Sequence, residues 1–381
     1  MQIKISKAVL VKALAKVQGV ANSRSTLPIL NYVLIEATAG DVFGNGGSLK
    51  LTVSDLETTV SSSYAAEVME GGSTCMLAKK AHEIVKELAD GDVTISTEVD
   101  DWAIITSGKA KFRLAGLPVG EFPSPKTKTD NMTTILASTL ADMYDQVYLS
   151  CCNDESKYNL NGIFMQMVPA AECGDGVFRV RMVATDGHRC SISSRAITSA
   201  ASGLDAGIII PKKSAAEMRK MIEGSDSVVE IGVSSGDNYA TFKITGTEIS
   251  IRLVDGVYPN FQRILPQNNT MVATINGGEV ISTLRRMALC SEEKAVKFNL
   301  EEGAITFSSL NGEGGAAETI DVVYNAENLE AKFNFKYVID MISSLGAPTV
   351  DLLFRDSVTP VVVKCNVNPE DFIGVVMPMR K

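Results

Sequence analysis

Histidine is almost missing from this chain: His82 and His188 are its only two in 381 residues. Imidazole is the commonest general acid or base near neutral pH and a frequent metal ligand, so a histidine-rich metal centre is excluded. Long apolar runs are also lacking, and none approaches the roughly 18 residues that a membrane helix needs. Met1 to Ile5 alternates like a strand and has no signal-peptide core. A soluble, cytoplasmic protein with no membrane partner is expected. Seven cysteines show no CxxC spacing, and Cys151 adjoins Cys152, which points to buried free thiols rather than a disulfide framework or zinc site. No phosphate loop of the form GxxxxGK[ST] occurs, because Gly108-Lys109 is followed by alanine. Gly312, Gly314 and Gly315 resemble half a dinucleotide fingerprint, but no helical pattern follows them. No cofactor or metal is implied.

What is present is a chain with 45% hydrophobic residues, enough for two or three domains with their own cores. A net charge of −9 argues against a surface that coats nucleic acid everywhere, so any such contact needs a segregated face.

Amphipathic helical patterns recur at similar intervals. One runs from Ser6, a candidate N-cap, to Val20, with Val9, Leu10, Ala13, Leu14 and Val17 on one face. A second starts near Ser138, and a third runs from Gly278 through Val280, Ile281, Leu284, Met287, Ala288 and Leu289. Each unit holds another helix entered from a short strand, near Lys79-Lys80, Lys212-Lys213 and Lys336. Strand-like runs such as Val33 to Ala37, Lys50 to Val53, Val93 to Thr97, Val228 to Val233 and Val361 to Cys365 lie between and after them. Two units close alike, in Leu117 to Pro123 and Leu253 to Pro259. The pattern predicts an α+β protein of three repeated domains, each with antiparallel strands covered by two helices.

Ala184-Thr185-Asp186-Gly187-His188-Arg189 is the one stretch with a catalytic look. A hydrolase using Asp186 and His188 with a distant serine or cysteine is the rival reading. Asp186-Gly187 is also a strong hairpin-turn signal, because glycine accepts positive φ. A turn bearing a ligand-lining histidine is therefore preferred to catalysis. His82, beside Lys79, Lys80 and Glu83, suits a solvated helix surface.

Positive charge concentrates in the helices. The six helical segments hold thirteen Lys/Arg against eight Asp/Glu, an excess of five in a chain whose net charge is −9. Lys7, Lys12 and Lys16 have no acidic neighbour within their helix, and Lys79, Lys212, Lys213, Arg219 and Lys220 add to the set. The segment from 137 to 151 is acidic. Lysine contacts to phosphate carry no sequence information, so salt-sensitive, sequence-independent binding of double-stranded DNA is expected.

Five segments taken together resemble the bacterial β sliding-clamp family: Ser25 to Leu30, Leu160-Asn161-Gly162, Val183 to Arg189, Leu253 to Pro259 and Val375 to Arg380. The resemblance spans the whole chain and implies domains at 1–126, 127–266 and 267–381. It further implies a non-catalytic processivity factor. In that family two chains close head to tail into a ring, with helices inside and sheets outside. The partners implied are the catalytic subunit of DNA polymerase III, the clamp loader and other proteins carrying a clamp-binding motif. A non-replicative clamp-like protein is the other outcome of the same resemblance.

The family's peptide pocket maps onto Leu160, Thr185, Gly187, His188 and Arg189, onto Pro259, Arg263, Ile264 and Val358, and onto Val375, Val376, Met377, Pro378, Met379 and Arg380. Its DNA contact maps onto Arg24. Asp154 stands where a neutral polar residue is expected and is not carried over, and Cys190 replaces the usual aliphatic residue. The implied dimer boundary pairs Lys80, Lys109, Lys111 and Phe112 with Leu289, Cys290, Glu313 and Glu318.

Overall fold

The structure, a computed structural model, describes residues 1–21, 26–40, 46–123, 130–168, 172–173, 177–197, 203–234, 236–365, 367–368 and 370–379. Among them are six α-helices: α1 (Lys7–Gln18), α2 (Ala78–Glu87), α3 (Ala137–Tyr148), α4 (Lys212–Ile222), α5 (Gly277–Met287) and α6 (Phe335–Leu345). Each follows a strand directly. Ser6 caps α1 by accepting the Val9 amide, and Asn276 and Asn334 cap α5 and α6 in the same way.

The α1 face is narrower than its sequence pattern suggests. Leu10, Ala13, Leu14 and Val17 are buried, but Val9 is exposed. At the end of α5, Leu289 lies beyond the helix and is 81% exposed.

The repeat runs deeper than three. Each third of the chain is built twice from strand, helix and three strands, so that the motif occurs six times. Two compact units result. The first, residues 1–138, 201–203 and 213–253, contains a five-stranded and a nine-stranded sheet. The second, residues 139–200, 204–212 and 254–381, contains an eight-stranded and a four-stranded sheet. Every named strand pair is antiparallel, so hairpins suffice to connect most neighbours.

The two largest sheets are joined by one rule. In the nine-stranded sheet, Thr58–Ala65 of the first repeat pairs with Thr247–Arg252 of the second, from Thr247↔Ser62 to Ile251↔Thr58. In the eight-stranded sheet, Arg189–Ile197 of the second repeat pairs with Phe372–Val376 of the third, from Arg189↔Val376 to Ser193↔Phe372. Each junction thus joins the last strand of one repeat's first half to the last strand of the next repeat's second half. The two strands that hold these places at the ends of the series, Gly314–Asp321 and Ala110–Leu114, are both sheet edges.

Side chains from both sheets of the second unit fill one core. Phe298, Phe307, Phe333 and Phe354 meet there under α5 and α6, with Val280, Leu284, Val338 and Met341 contributed by the helices. Such aromatic burial dominates the energetics of this core.

Candidate functional site

Asp186-Gly187 forms the expected turn, between Phe178–Thr185 and Arg189–Ile197. Gly187 has φ 91°, a conformation that side-chain-bearing residues rarely adopt. The Asp186 carboxylate accepts the amides of His188 and Arg189, and the Gly187 amide donates to Thr185 Oγ1.

Arg189 points inward. Its guanidinium donates to Asp186 at 3.1 Å, to Asp340 of α6 at 2.7 Å and to the Leu149 carbonyl, and it lies over the Tyr337 ring at 4.5 Å. With 8% of its side chain exposed, it serves as a strut between the turn and α6 rather than as an open ligand. His188 remains exposed, with its ring stacked 6.2 Å from that of Tyr337.

These bonds count against the hydrolase reading. Both Asp186 oxygens are engaged by the turn and Arg189, so neither orients the His188 ring. The nearby thiols are inert as nucleophiles, because burial pushes Cys190 and Cys151 up to about 12. All seven cysteines are free; Cys75, Cys151, Cys152 and Cys190 are buried, whereas Cys173, Cys290 and Cys365 are half-buried. No group of three or more possible metal ligands occurs among the described residues.

The residues expected to form one pocket occupy two adjoining places in the second unit. Leu160, Ile264 and Val375 pack with Phe164, Cys190 and Tyr258 in an apolar cluster on one sheet face. Thr185 and Val376 are buried, whereas Pro259 and Arg263 are exposed on the segment that closes the second repeat. Gly187, Val358 and Met377 to Met379 instead line a cavity of about 820 Å³. A neighbouring cavity of about 430 Å³ is bounded by the same tail residues with His188, Asn334 and Tyr337.

The tail is stitched at both ends. Met377 donates to the His188 carbonyl at 2.9 Å, and Met379 donates to the Lys332 carbonyl at 2.7 Å. Arg380 lies outside the described residues. Sequence reasoning missed Asn334, Tyr337 and Asp340. The signal for the last two was a polar pair one turn apart, Tyr337 and Asp340, among the apolar Phe335, Val338, Ile339, Met341 and Ile342 of α6.

The cationic helix residues divide as well. Lys12, Lys16 and Lys79 are exposed and form no ion pair with a described residue. Lys7, by contrast, reaches Asp90 at 3.3 Å, Lys213 reaches Asp55 at 2.5 Å, and Lys220 reaches Glu217 at 2.7 Å. Lys212 donates to Asn153 at 2.6 Å and sits 4.9 Å from the Tyr148 ring. Arg219, half-buried in the last turn of α4, is also engaged. Charge counting therefore overstates the free positive surface. Arg24 lies outside the described residues.

Of the expected boundary residues, Lys111 and Phe112 lie on the edge strand Ala110–Leu114, while Lys80, Lys109 and Phe112 line a cavity of about 640 Å³. Leu289 and Glu313 are exposed and Cys290 is half-buried. Glu318, on the other edge strand, is held by Arg286 and Thr283, and these hydrogen bonds lower its carboxyl to about 2. Its charge already has a partner within the chain.

Comparison with known proteins agrees with this architecture. Models of the N-terminal, central and C-terminal domains of the DNA polymerase III beta subunit match residues 1–126, 134–260 and 262–380. Beta sliding clamps of Caulobacter vibrioides and Escherichia coli K12 are 31% and 28% identical, each aligned over 100% of both chains. A C. crescentus beta sliding clamp with polyethylene glycol bound superposes with a TM-score of 0.90 at 29% identity, covering 100% of this chain and 99% of that one. A Bartonella birtlesii clamp bound to griselimycin gives 0.90 at 30% identity, with both chains fully covered. The chain belongs to the DNA polymerase III beta-subunit family, the beta sliding clamps, which are non-enzymatic processivity factors of DNA replication.

Proposed function

We propose that two copies of this chain join head to tail, encircle double-stranded DNA and tether the polymerase, the clamp loader and other motif-bearing proteins in the cytoplasm. The observation that carries this reading is the unfinished junction series. Two antiparallel junctions of one kind occur within the chain, and the strands for a third, Gly314–Asp321 and Ala110–Leu114, are edges. Exposed sheet edges invite pairing with another chain, and a heterologous contact between two copies can close.

The three turns that precede the junction strands support this further. Asp55 accepts the Glu57 and Thr58 amides, Asp186 those of His188 and Arg189, and Asn311 those of Glu313 and Gly314. The first two turns meet the second helix of the following repeat, through Asp55–Lys213 and Arg189–Asp340. By the same rule the third turn, which carries Glu313, meets the start of α2, which carries Lys80, in another copy. Phe112 and Leu289 supply exposed apolar surface to that boundary.

Lys12, Lys16 and Lys79 are the cations best placed to face phosphate, with Lys7, Lys212, Lys213, Arg219, Lys220 and Arg24 as further contacts. Domain boundaries at 1–126, 127–266 and 267–381 suit the repeat. The partner peptide uses the apolar cluster and the tail cavities, where thioether and branched aliphatic side chains give an adaptable surface.

Light scattering after size exclusion is expected to give about twice the chain mass of 40.7 kDa. After loader-assisted loading, circular DNA is expected to retain the protein and linearised DNA to lose it. Equal loss from both overturns encirclement. Replacing Lys12 and Lys16 by alanine is expected to lower the salt dependence of DNA binding by about two counterions.

A further inference from the structure

We propose that the Tyr258 hydroxyl is a specificity-determining donor in the floor of the apolar cluster, selecting partner peptides whose anchoring side chain carries an uncharged hydrogen-bond acceptor. The inference rests on the peptide-tethering reading and names the chemistry of the segment that is tethered.

Tyr258 stands in the segment that closes the second repeat, and its ring is held from several sides. It stacks on Phe164 with centroids 4.8 Å apart and planes 11° from parallel, and Phe164 in turn meets Phe261 at 6.3 Å. The Phe164 ring occupies the space beside Gly207, where an added Cβ would lie 2.2 Å from it. The segment itself is pinned at two points. The Val254 amide donates to the Ile209 carbonyl at 2.9 Å, and the Asn159 side-chain amide donates to the Val257 carbonyl at 3.1 Å. A ring packed in this way presents its hydroxyl at one place.

That hydroxyl has no partner. Tyr258 is 7% exposed, its oxygen is shielded from solvent, and it forms no hydrogen bond with a described residue. The side chains that pack with it, Val183, Cys190, Ile192 and Val375 among them, offer no oxygen or nitrogen. The Thr185 amide faces the oxygen, but it is a donor and cannot take the phenol proton. Nearby acceptors are already in use by the turn: Thr185 Oγ1 accepts the Gly187 amide, and the Asp186 oxygens accept from His188 and Arg189. Burial pushes the phenol well above its ordinary range, so it stays a neutral donor. Buried tyrosine hydroxyls as a rule find an acceptor, and an unpaired one in a cluster that receives a side chain is completed by an acceptor on that side chain.

The rim of the cluster meets solvent at Leu160, Ile264 and Leu265, all half-buried, beside the exposed Pro259. An anchor entering there packs against apolar surface with one polar point in it. A purely aliphatic anchor leaves the donor buried and unpaired, whereas a carbonyl or thioether satisfies it. A carboxylate would lose its hydration without a cation to replace it. Methionine and glutamine are the encoded side chains that join an unbranched apolar stem to an uncharged acceptor.

Panning a random dodecapeptide library on the full-length protein supplies a ligand, and the position whose replacement by alanine costs most affinity defines its anchor. The selected peptide is then made with norleucine and with O-methylhomoserine at that position, isosteres that exchange a methylene for an ether oxygen. Preference for the ether, read as the ratio of the two dissociation constants, is expected to be about fivefold greater on the wild type than on Tyr258→Phe. An equal ratio on both proteins overturns the donor role and leaves tethering intact. No enriched peptide on the wild type overturns both. Urea unfolding adds a readout on the free protein: Tyr258→Phe removes an unpaired hydroxyl and is expected to hold or raise the midpoint. A lowered midpoint shows that the hydroxyl has a partner within the chain and overturns the proposal.

Discussion

The two junction turns share a backbone and differ in what they carry. At the first, Leu56 holds φ 74° where Gly187 holds 91° at the second, and an aspartate precedes each. The first turn ends in Thr58, whose hydroxyl meets Ser214 of α4 at 2.8 Å in a small neutral contact. The second ends in Arg189, buried between Asp186 and Asp340. Both turns also carry an ion pair to the next helix, but Lys213, the cation of the first, stays 59% exposed, whereas Arg189 of the second is buried as a strut that also frames the tail cavities. The difference teaches that the proposed binding site is a specialised copy of a structural joint.

Truncating the strut should have the largest effect. Arg189→Ala leaves two carboxylates, each less than a fifth exposed, without their cation, and is expected to cost about 3–5 kcal/mol in urea unfolding. A loss below about 1 kcal/mol would remove the distinction between the two turns. Next comes the third turn: Glu313→Lys or Lys80→Glu alone is expected to raise the dimer dissociation constant about tenfold, and the two charge reversals together to restore it. Sedimentation velocity checks this, and lack of restoration removes the Glu313–Lys80 contact from the proposed boundary. At the first seam, loss of the neutral Thr58–Ser214 contact through Thr58→Val is expected to cost only about 1 kcal/mol.

Acid should act through the third repeat. The Glu318 carboxyl is lowered to about 2 by its bonds to Arg286 and Thr283, so its contribution is complete above the ordinary carboxylate value of 4.5. Stability from this group then falls as pH drops from about 4.5 through about 2. Glu318→Gln is expected to flatten that part of the pH profile, measured as the urea midpoint. The smallest expected change is chemical: native Cys190, its thiol pushed up to about 12, should stay unalkylated by iodoacetamide at pH 8.

Helix period, the Ser6 cap and the Asp186-Gly187 turn were legible in the sequence because each is written within a few neighbouring residues. The matching turn at Asp55 was not, since leucine at positive φ leaves no signature. Pairings across long separations were also hidden. Arg189 and Asp340 are 151 residues apart, and Lys213 and Asp55 158. Whether a helix cation is free or already matched depends on such distant contacts, which is why Lys7 and Lys213 look the same as Lys12 in the sequence. The candidate site residues came from resemblance, and their division between an apolar cluster and a stitched tail depends on how two repeats meet.

On the proposed third junction, the two edges make each copy a bifunctional monomer in the polymer sense, with two unlike ends. Closure competes with chain growth, and intramolecular closure wins when the effective concentration of the ends exceeds that of free copies. Crowding the protein in vitro should therefore lengthen assemblies rather than tighten them, and dilution should restore closed species before it yields single chains.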